Sequence, residues 1–150
     1  LGSFDFRILA TDIDPKVVAF SNEGTYPDRM LDGVSPAHLQ RYFEKATSPT
    51  EPSYRTKQCI RDLIRFRELN LLKDWPIKQK FDVIFCRNVV IYFDLATQNN
   101  LWPRFLRALQ RDGHLFLGHS ERISEPEAAG FIIQGTTTYR PAALFSADHV

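Results

Sequence analysis

A nearly continuous apolar run followed by two polar residues is the feature of this sequence that most restricts its fold. Residues 81–86 read Phe-Asp-Val-Ile-Phe-Cys, and Arg87 and Asn88 follow directly. A short run that is apolar at nearly every position is typical of a strand buried on both faces, as in a parallel sheet. Ligands of open parallel sheets bind beyond the carboxyl ends of the strands. Arg87 and Asn88 are therefore candidate binding residues.

Strand and helix signals alternate before this run. The apolar stretch Arg7–Ala10 leads to Thr11 and Asp12, and Asp14-Pro15 then offers a capping carboxylate followed by proline at the first helical position. Gly24 is a natural end for this helix. Ser35-Pro36 predicts a second helix start by the same logic.

The signals continue after the run. Asp94 is expected to cap a helix that extends to about Gln110, with Pro103 kinking it and Asp112-Gly113 ending it. His114–Gly118 reads as the next strand, and two β-rich pieces of the tail predict antiparallel pairing, Phe131–Ile133 and Thr136–Tyr139. Strands alternating with helices before an antiparallel end predict an α/β domain with a mostly parallel sheet.

Composition bounds the class of protein. With 150 residues, 43% of them apolar, the chain is long enough for one compact domain, and no apolar run approaches the roughly 20 residues of a membrane span. The first five residues show no secretory signal pattern. Net charge is +1, from 19 basic and 18 acidic residues, which argues against a nucleic-acid-binding surface.

Two local features qualify this picture. Residues 55–67 hold five basic side chains against Asp62 alone, which is either a solvated strand face or a docking surface for an acidic partner. The two cysteines, Cys59 and Cys86, lack metal-site spacing, so no metal is expected. Cys86 reads as a small buried residue, and a reduced, cytoplasmic setting fits best.

Three predicted strands end in polar groups. The first gives Asp12, the second gives Arg87 and Asn88, and the third gives His119, Ser120 and Glu121. A carboxylate at a strand end can accept the hydroxyls of a ribose, although it can equally serve only as a helix cap. No glycine-rich phosphate loop is present, which favours a nucleoside ligand without phosphates.

Several motifs in order resemble those of the chemotaxis receptor methyltransferase family (CheR). The stretch Phe-Cys-Arg-Asn-x-x-Ile-Tyr-Phe at 85–93 is the most specific of them. The remaining motifs are individually modest but keep the family's order and spacing: Ala10–Asp14, Ser35–Phe43, Asn70–Leu72 and Gly118–Glu121. The resemblance extends from about Ile8 to Tyr139.

The resemblance implies a Rossmann-like, class I S-adenosylmethionine-dependent methyltransferase sheet over residues 1–150. It also implies a small antiparallel β-subdomain inserted at about 45–68, where Arg61-Asp62 and its flanking strands would contact the receptor. The implied reaction is O-methylation of chemoreceptor glutamates, giving glutamyl methyl esters, with S-adenosylmethionine as donor and no metal. Asp12 is implied to bind the ribose, and Asn70 and Leu71 to flank the adenine. Arg87 and Asn88 are implied to line the cofactor pocket, and Tyr92, with Arg87, to act at the transferred methyl.

The chain also departs from the family pattern. The family's N-terminal helical domain, first strand and glycine-containing turn have no counterpart in the sequence, so the sheet is expected to lack its first strand. An open central edge would let two copies exchange a strand. The alternative function is a non-catalytic docking module that binds a receptor or signalling partner through the basic residues of 55–67.

Overall fold

The computed structural model describes residues 5–47 and 51–142, so residues 1–4, 48–50 and 143–150 lie outside it. The chain forms two compact units, Leu1–Asn70 and Leu71–Val150. Each carries strands and helices of its own and is described separately.

A parallel strand pair and one helix build the part of the first unit that matters for the site. The elements of this unit are β1 (Ile8–Asp12), α1 (Pro15–Glu23), β2 (Thr25–Pro27), a short 3-10 helix (Asp28–Met30), α2 (Pro36–Tyr42), β3 (Phe43–Ala46), β4 (Ser53–Thr56), α3 (Gln58–Arg61) and β5 (Ile64–Glu68). Strand β1 pairs with β5 in parallel, with Asp12 opposite Glu68. The carboxyl ends of both strands therefore lie at one edge.

The predicted caps are confirmed. The Asp14 side chain accepts the Lys16 N–H at the start of α1, and Gly24 ends that helix in the left-handed conformation, with φ of 68°. The Ser35 hydroxyl oxygen accepts the His38 N–H at the start of α2. Both helix starts were readable because an N-cap side chain followed by proline acts locally.

An antiparallel sheet is present, but its strands differ from those expected. Strand β4 lies between β2 and β3, whereas residues 64–68 pair in parallel with β1. The prediction that both strands flanking Arg61-Asp62 belong to the antiparallel subdomain is therefore wrong for β5. The connection carries no glycine or asparagine for a tight hairpin, and it closes as the helical turn α3, where Gln58 donates to the Asp62 carboxylate at 2.7 Å.

The second unit is a four-stranded mixed sheet with one long helix. Its elements are β6 (Phe81–Cys86), a 3-10 helix (Val90–Tyr92), α4 (Leu95–Ala108), β7 (Leu109–Leu117), β8 (Phe131–Gly135) and β9 (Thr138–Pro141). The strand order is β6-β7-β9-β8, parallel between β6 and β7 and antiparallel elsewhere. The predicted α/β class, with a parallel part and an antiparallel end, is confirmed.

The end of α4 was predicted wrongly. The helix continues through Pro103 and stops at Ala108, so Asp112-Gly113 lies inside β7 instead of ending the helix. Leu109 is almost fully buried as the first residue of β7, and this burial outweighs the local turn signal of Asp112-Gly113. Gly113 serves a different purpose, because a Cβ there would lie 2.9 Å from the Phe81 carbonyl oxygen of the neighbouring strand.

Strand β6 is covered on one face only, which corrects the expectation of burial on both. Cys86 belongs to the buried core of this unit, whereas Val83 and Phe85 are exposed on the opposite face, where Phe85 stacks on Phe116 at 4.9 Å. The described part of this unit supplies a single α-helix, α4, whose Leu101, Trp102 and Phe105 fill the core.

Strands β1 and β6 are both edge strands of their sheets. Within the described residues β1 has β5 as its one partner strand, and β6 has β7. Across the same residues, no helix is long and apolar enough to cross a membrane.

The core of the second unit gives a direct stability test. Replacing Leu115, which is fully buried in β7, by Ala should lower the free energy of unfolding by about 2–5 kcal/mol, because it removes apolar contacts and leaves a cavity. The matched change Ile133→Ala, on the exposed side of β8, should cost about 0.5 kcal/mol or less. Urea unfolding followed by circular dichroism measures both, and equal losses would contradict this account of the core.

Candidate functional site

In the first unit, Asp12 lies at the carboxyl end of β1. Its Oδ1 accepts the Asp14 N–H at 2.8 Å, which shapes the turn into α1. Its carbonyl accepts the Leu69 N–H at 2.9 Å, so the chain leaving β5 runs beside Asp12 and brings Asn70 to the same edge. Asp12 is exposed, and its Oδ2 has no hydrogen-bond partner among the described residues.

In the second unit, the segment that leaves β6 carries three of the predicted site residues. We call Arg87–Phe93 the β6-end segment. Its 3-10 turn buries Val90 in the core and projects Tyr92 outward, so that Tyr92 is 80% exposed. Arg87 and Asn88 are exposed as well, and the Arg87 guanidinium makes no hydrogen bond or ion pair within the described part of the chain.

The carboxylate of Glu121 binds the backbone of the β6-end segment through hydrogen bonds. Glu121 is only 2% exposed, and its two oxygens accept four backbone N–H groups. Oε2 accepts from Gly118 at 2.6 Å and from Asn88 at 2.9 Å. Oε1 accepts from Val89 at 2.8 Å and from Ile91 at 3.3 Å. This single side chain therefore joins the end of β7 to the segment that follows β6.

These bonds keep Glu121 ionised. Burial raises the pKa of the Glu121 carboxyl, but the N–H donors of Gly118, Asn88, Val89 and Ile91 lower it by more, so its pKa falls below the ordinary value of 4.5. A pKa lowered by folding means stability that is present above the unfolded-state pKa and lost as the pH falls through the folded-state pKa. Acid should therefore release the β6-end segment, whereas neutral pH should keep it bound.

The backbone at Asn88 depends on a close approach to Gly118. Asn88 has φ of 59°, in the left-handed region that costs most L-residues roughly 1–2 kcal/mol and that asparagine tolerates best. A Cβ on Gly118 would lie 2.5 Å from Glu121 Oε2 and 2.7 Å from Asn88 Oδ1. Only glycine at 118 leaves room for both groups.

Helix α4 fixes the other side of the β6-end segment. The Gln98 amide donates to the Val90 carbonyl at 3.0 Å and to the Phe93 carbonyl at 2.9 Å. Asp94 caps the helix by accepting the Thr97 N–H at 2.7 Å, and this bond lowers the pKa of its carboxyl. Glu121 thus satisfies N–H groups of the segment and Gln98 satisfies its carbonyls, so the backbone is held while Tyr92 stays free to contact a ligand.

Cys86, just before the segment, is a structural residue, as predicted. Burial raises the pKa of its thiol to about 12, and the nearby Glu121 carboxylate adds to the shift. A thiol with this pKa carries almost no thiolate at neutral pH and is a poor nucleophile. Among the described residues, no group of three His, Cys, Asp or Glu side chains could hold a metal ion.

Leu71 lies at the start of the second unit. Its side chain packs against the core, and its carbonyl accepts the Trp75 indole N–H at 3.1 Å. The structure thus groups Arg87, Asn88 and Tyr92 in the second unit, and Asp12 with Asn70 in the first.

Sequence reasoning missed three residues that shape the site. Glu121 was recognised only as a polar strand-end residue, Gly118 only as part of a motif, and Gln98 not at all. The spacing from Gly118 to Glu121 directly after an apolar strand was the available signal, but the partners of this carboxylate lie about 30 residues earlier in the chain.

Part of the basic stretch also proves to be structural. The Lys57 ammonium donates to the carbonyls of Gln40 and Arg41 at the end of α2, and the Arg61 guanidinium donates to the Asn22 carbonyl near the end of α1. Cations stabilise the carbonyl ends of helices. Arg55, Arg65 and Arg67 are the exposed members of the stretch.

Comparisons with known proteins bear on these observations. The family model described as "CheR methyltransferase, SAM binding domain" matches residues 1–139. A Rhizobium etli protein named "Probable chemotaxis protein methyltransferase" is 46% identical over 93% of this chain and 52% of its own length. The chemotaxis protein methyltransferase of Escherichia coli is 42% identical over 89% of this chain and 47% of its own length.

A solved structure, a TehB-like SAM-dependent methyltransferase from Corynebacterium glutamicum, is 15% identical, with a TM-score of 0.48 over 89% of this chain and 65% of its own. The chain spans about half the length of the curated relatives that it matches. The match over residues 1–139 establishes that this chain belongs to the CheR methyltransferase family, in its SAM-binding domain.

Proposed function

We propose that this chain binds S-adenosylmethionine and serves in the O-methylation of glutamate side chains on chemoreceptors, giving glutamyl methyl esters. One observation carries the proposal. The segment after β6, in a chain that matches a SAM-binding family model, presents Arg87, Asn88 and Tyr92 to solvent from a backbone held rigidly by Glu121 and Gln98.

The residues at the carboxyl ends of β1 and β6 fit the proposed cofactor. Asp12 keeps one carboxylate oxygen for its own turn and has the other available for the ribose hydroxyls. Asn70 follows β5 at the same end of the first unit and is proposed to flank the adenine, as is Leu71, the next residue of the chain. Asn88 would line the cofactor pocket, and Arg87, with an unpaired guanidinium, would neutralise the cofactor carboxylate or steer the acceptor.

The chain's own residues would act mainly by positioning. The cofactor supplies, when bound, a methyl group activated by a positively charged sulfur. A glutamate acceptor is already ionised near pH 7, so the site needs no strong general base. Tyr92 would place its ring and hydroxyl beside the reacting methyl, where an electron-rich group favours positive charge. Holding donor and acceptor in line can itself supply about 7 kcal/mol or more.

The proposed partner is the acidic, glutamate-bearing cytoplasmic part of a chemoreceptor, and the proposed location is the cytoplasm. Two relatives are named as chemotaxis methyltransferases, which favours the enzyme over a purely docking module. The open edges of β1 and β6 are where a further strand would pair, either from the same protein or from a second copy in a strand-swapped dimer.

Removing the Asp12 carboxylate tests the cofactor proposal. Calorimetric titration of the chain with S-adenosylmethionine should show that Asp12→Ala and Asp12→Asn both weaken binding by about tenfold or more, because the ribose hydroxyls lose a charged acceptor. Asn retains a side-chain oxygen for the Asp14 N–H, so it separates loss of charge from loss of the turn. The exposed Asp32→Ala is the matched control and should leave affinity unchanged. Unaltered binding by both Asp12 variants would refute the ribose assignment.

Removing one hydroxyl tests the catalytic proposal. Tyr92→Phe should lower kcat for transfer of radiolabelled methyl groups to a chemoreceptor cytoplasmic fragment by roughly tenfold or more, while cofactor affinity stays within about twofold. Stability should not change, since Tyr92 is largely exposed. Tyr26→Phe, on β2, is the control. A Tyr92→Phe variant with unaltered kcat would show that the hydroxyl takes no part in the reaction.

A further inference from the structure

Glu121 is a buried carboxylate that forms no salt bridge within the described part of the chain. All four of its hydrogen bonds come from backbone N–H groups, three of them in the β6-end segment. Charge-assisted bonds of this kind are roughly twice as strong as neutral ones. Three of these bonds therefore fix the path of the β6-end segment, and the fourth joins it to Gly118 at the end of β7.

That segment has an unfavourable path without this support. Asn88 occupies the left-handed region, and the successive N–H groups of Asn88 and Val89 both point toward the Glu121 carboxylate, where the described residues offer them no other acceptor. Partly buried donors without an acceptor would destabilise this path. The Glu121 carboxylate stabilises this path, because successive backbone N–H groups that point to one place form an anion-binding site.

We infer that Glu121 is a positioning residue that sets the cofactor affinity of the chain by holding the β6-end segment in its binding-competent path. The inference rests on the proposed function, since it takes Arg87, Asn88 and Tyr92 to be the ligand-contacting residues. Glu121 itself is buried and would affect cofactor binding only through the backbone of the β6-end segment.

The chemistry of the side chain predicts what each substitution does. In Glu121→Gln, an amide nitrogen replaces one oxygen. However the amide is turned, this nitrogen faces either the N–H groups of Asn88 and Gly118 or those of Val89 and Ile91, so two acceptor contacts become donor–donor contacts. Glu121→Asp keeps the charge but is one methylene shorter, so it should restore part of the function.

The test combines two measurements on the 150-residue chain: hydrogen exchange of the amides at 88, 89, 91 and 118, and calorimetric titration with S-adenosylmethionine. In Glu121→Gln, one pair of these amides, either 88 and 118 or 89 and 91, should exchange about tenfold faster or more because it loses its acceptor, and affinity should fall about tenfold or more. Glu121→Asp should lie between the variant and the unmodified chain. Glu127→Gln, an exposed glutamate of the following loop, is the matched control and should change neither measurement.

Each other outcome has a defined meaning. Faster exchange with unaltered affinity in Glu121→Gln would overturn the positioning role alone. Absence of binding by the unmodified chain would overturn the proposed function, and the positioning role with it. If the core amides of Leu115 and Leu117 also lose protection, Glu121→Gln has unfolded, and the Glu121→Asp variant is used instead. Weaker binding by Glu121→Asp with its core amides still protected supports the inference, and unaltered binding by Glu121→Asp overturns it.

Discussion

The second unit depends on one buried charge. Glu121 is placed by the end of β7, yet most of its hydrogen bonds go to the chain that leaves β6. Strand pairing alone fixes β6 only as far as Cys86. Beyond Cys86 the backbone is irregular, and the Glu121 carboxylate accepts the N–H groups of Asn88, Val89 and Ile91 in place of a neighbouring strand. Gly118 leaves room for the Glu121 carboxylate because it has no side chain. Gln98 donates to the carbonyls of the β6-end segment.

The fold class and most helix starts could be predicted because their causes are local. Asp14 and Ser35 cap the helices that follow them, and the apolar run 81–86 forms a strand. The failures share a non-local cause. Residues 64–68 join β1 across more than 50 positions, and Leu109 begins a strand because the core buries it. Neither partner is visible from the neighbouring residues.

The candidate site divides in the same way. The exposed positions of Arg87 and Asn88 after β6 could be predicted because polar residues that follow a parallel strand directly stay at its carboxyl end. Tyr92 lies further along the chain, and only the family resemblance pointed to it. The role of Glu121 could not be predicted, since its function depends on distant backbone donors. The basic stretch 55–67 could be read from the sequence either as a solvated face or as a docking surface. Lys57 and Arg61 donate to helix carbonyls, a third use of a cation that only coordinates reveal.

The most direct test of the central claim is a nuclear magnetic resonance titration of the isotope-labelled chain with S-adenosylmethionine. If the segment held by Glu121 forms part of the cofactor site, the backbone amide signals of Asn88, Val89 and Ile91 should shift and saturate together. The amide of Gln134, on the distant strand β8, should not move. Saturable shifts confined to other parts of the chain, with the β6-end segment unaffected, would contradict the account.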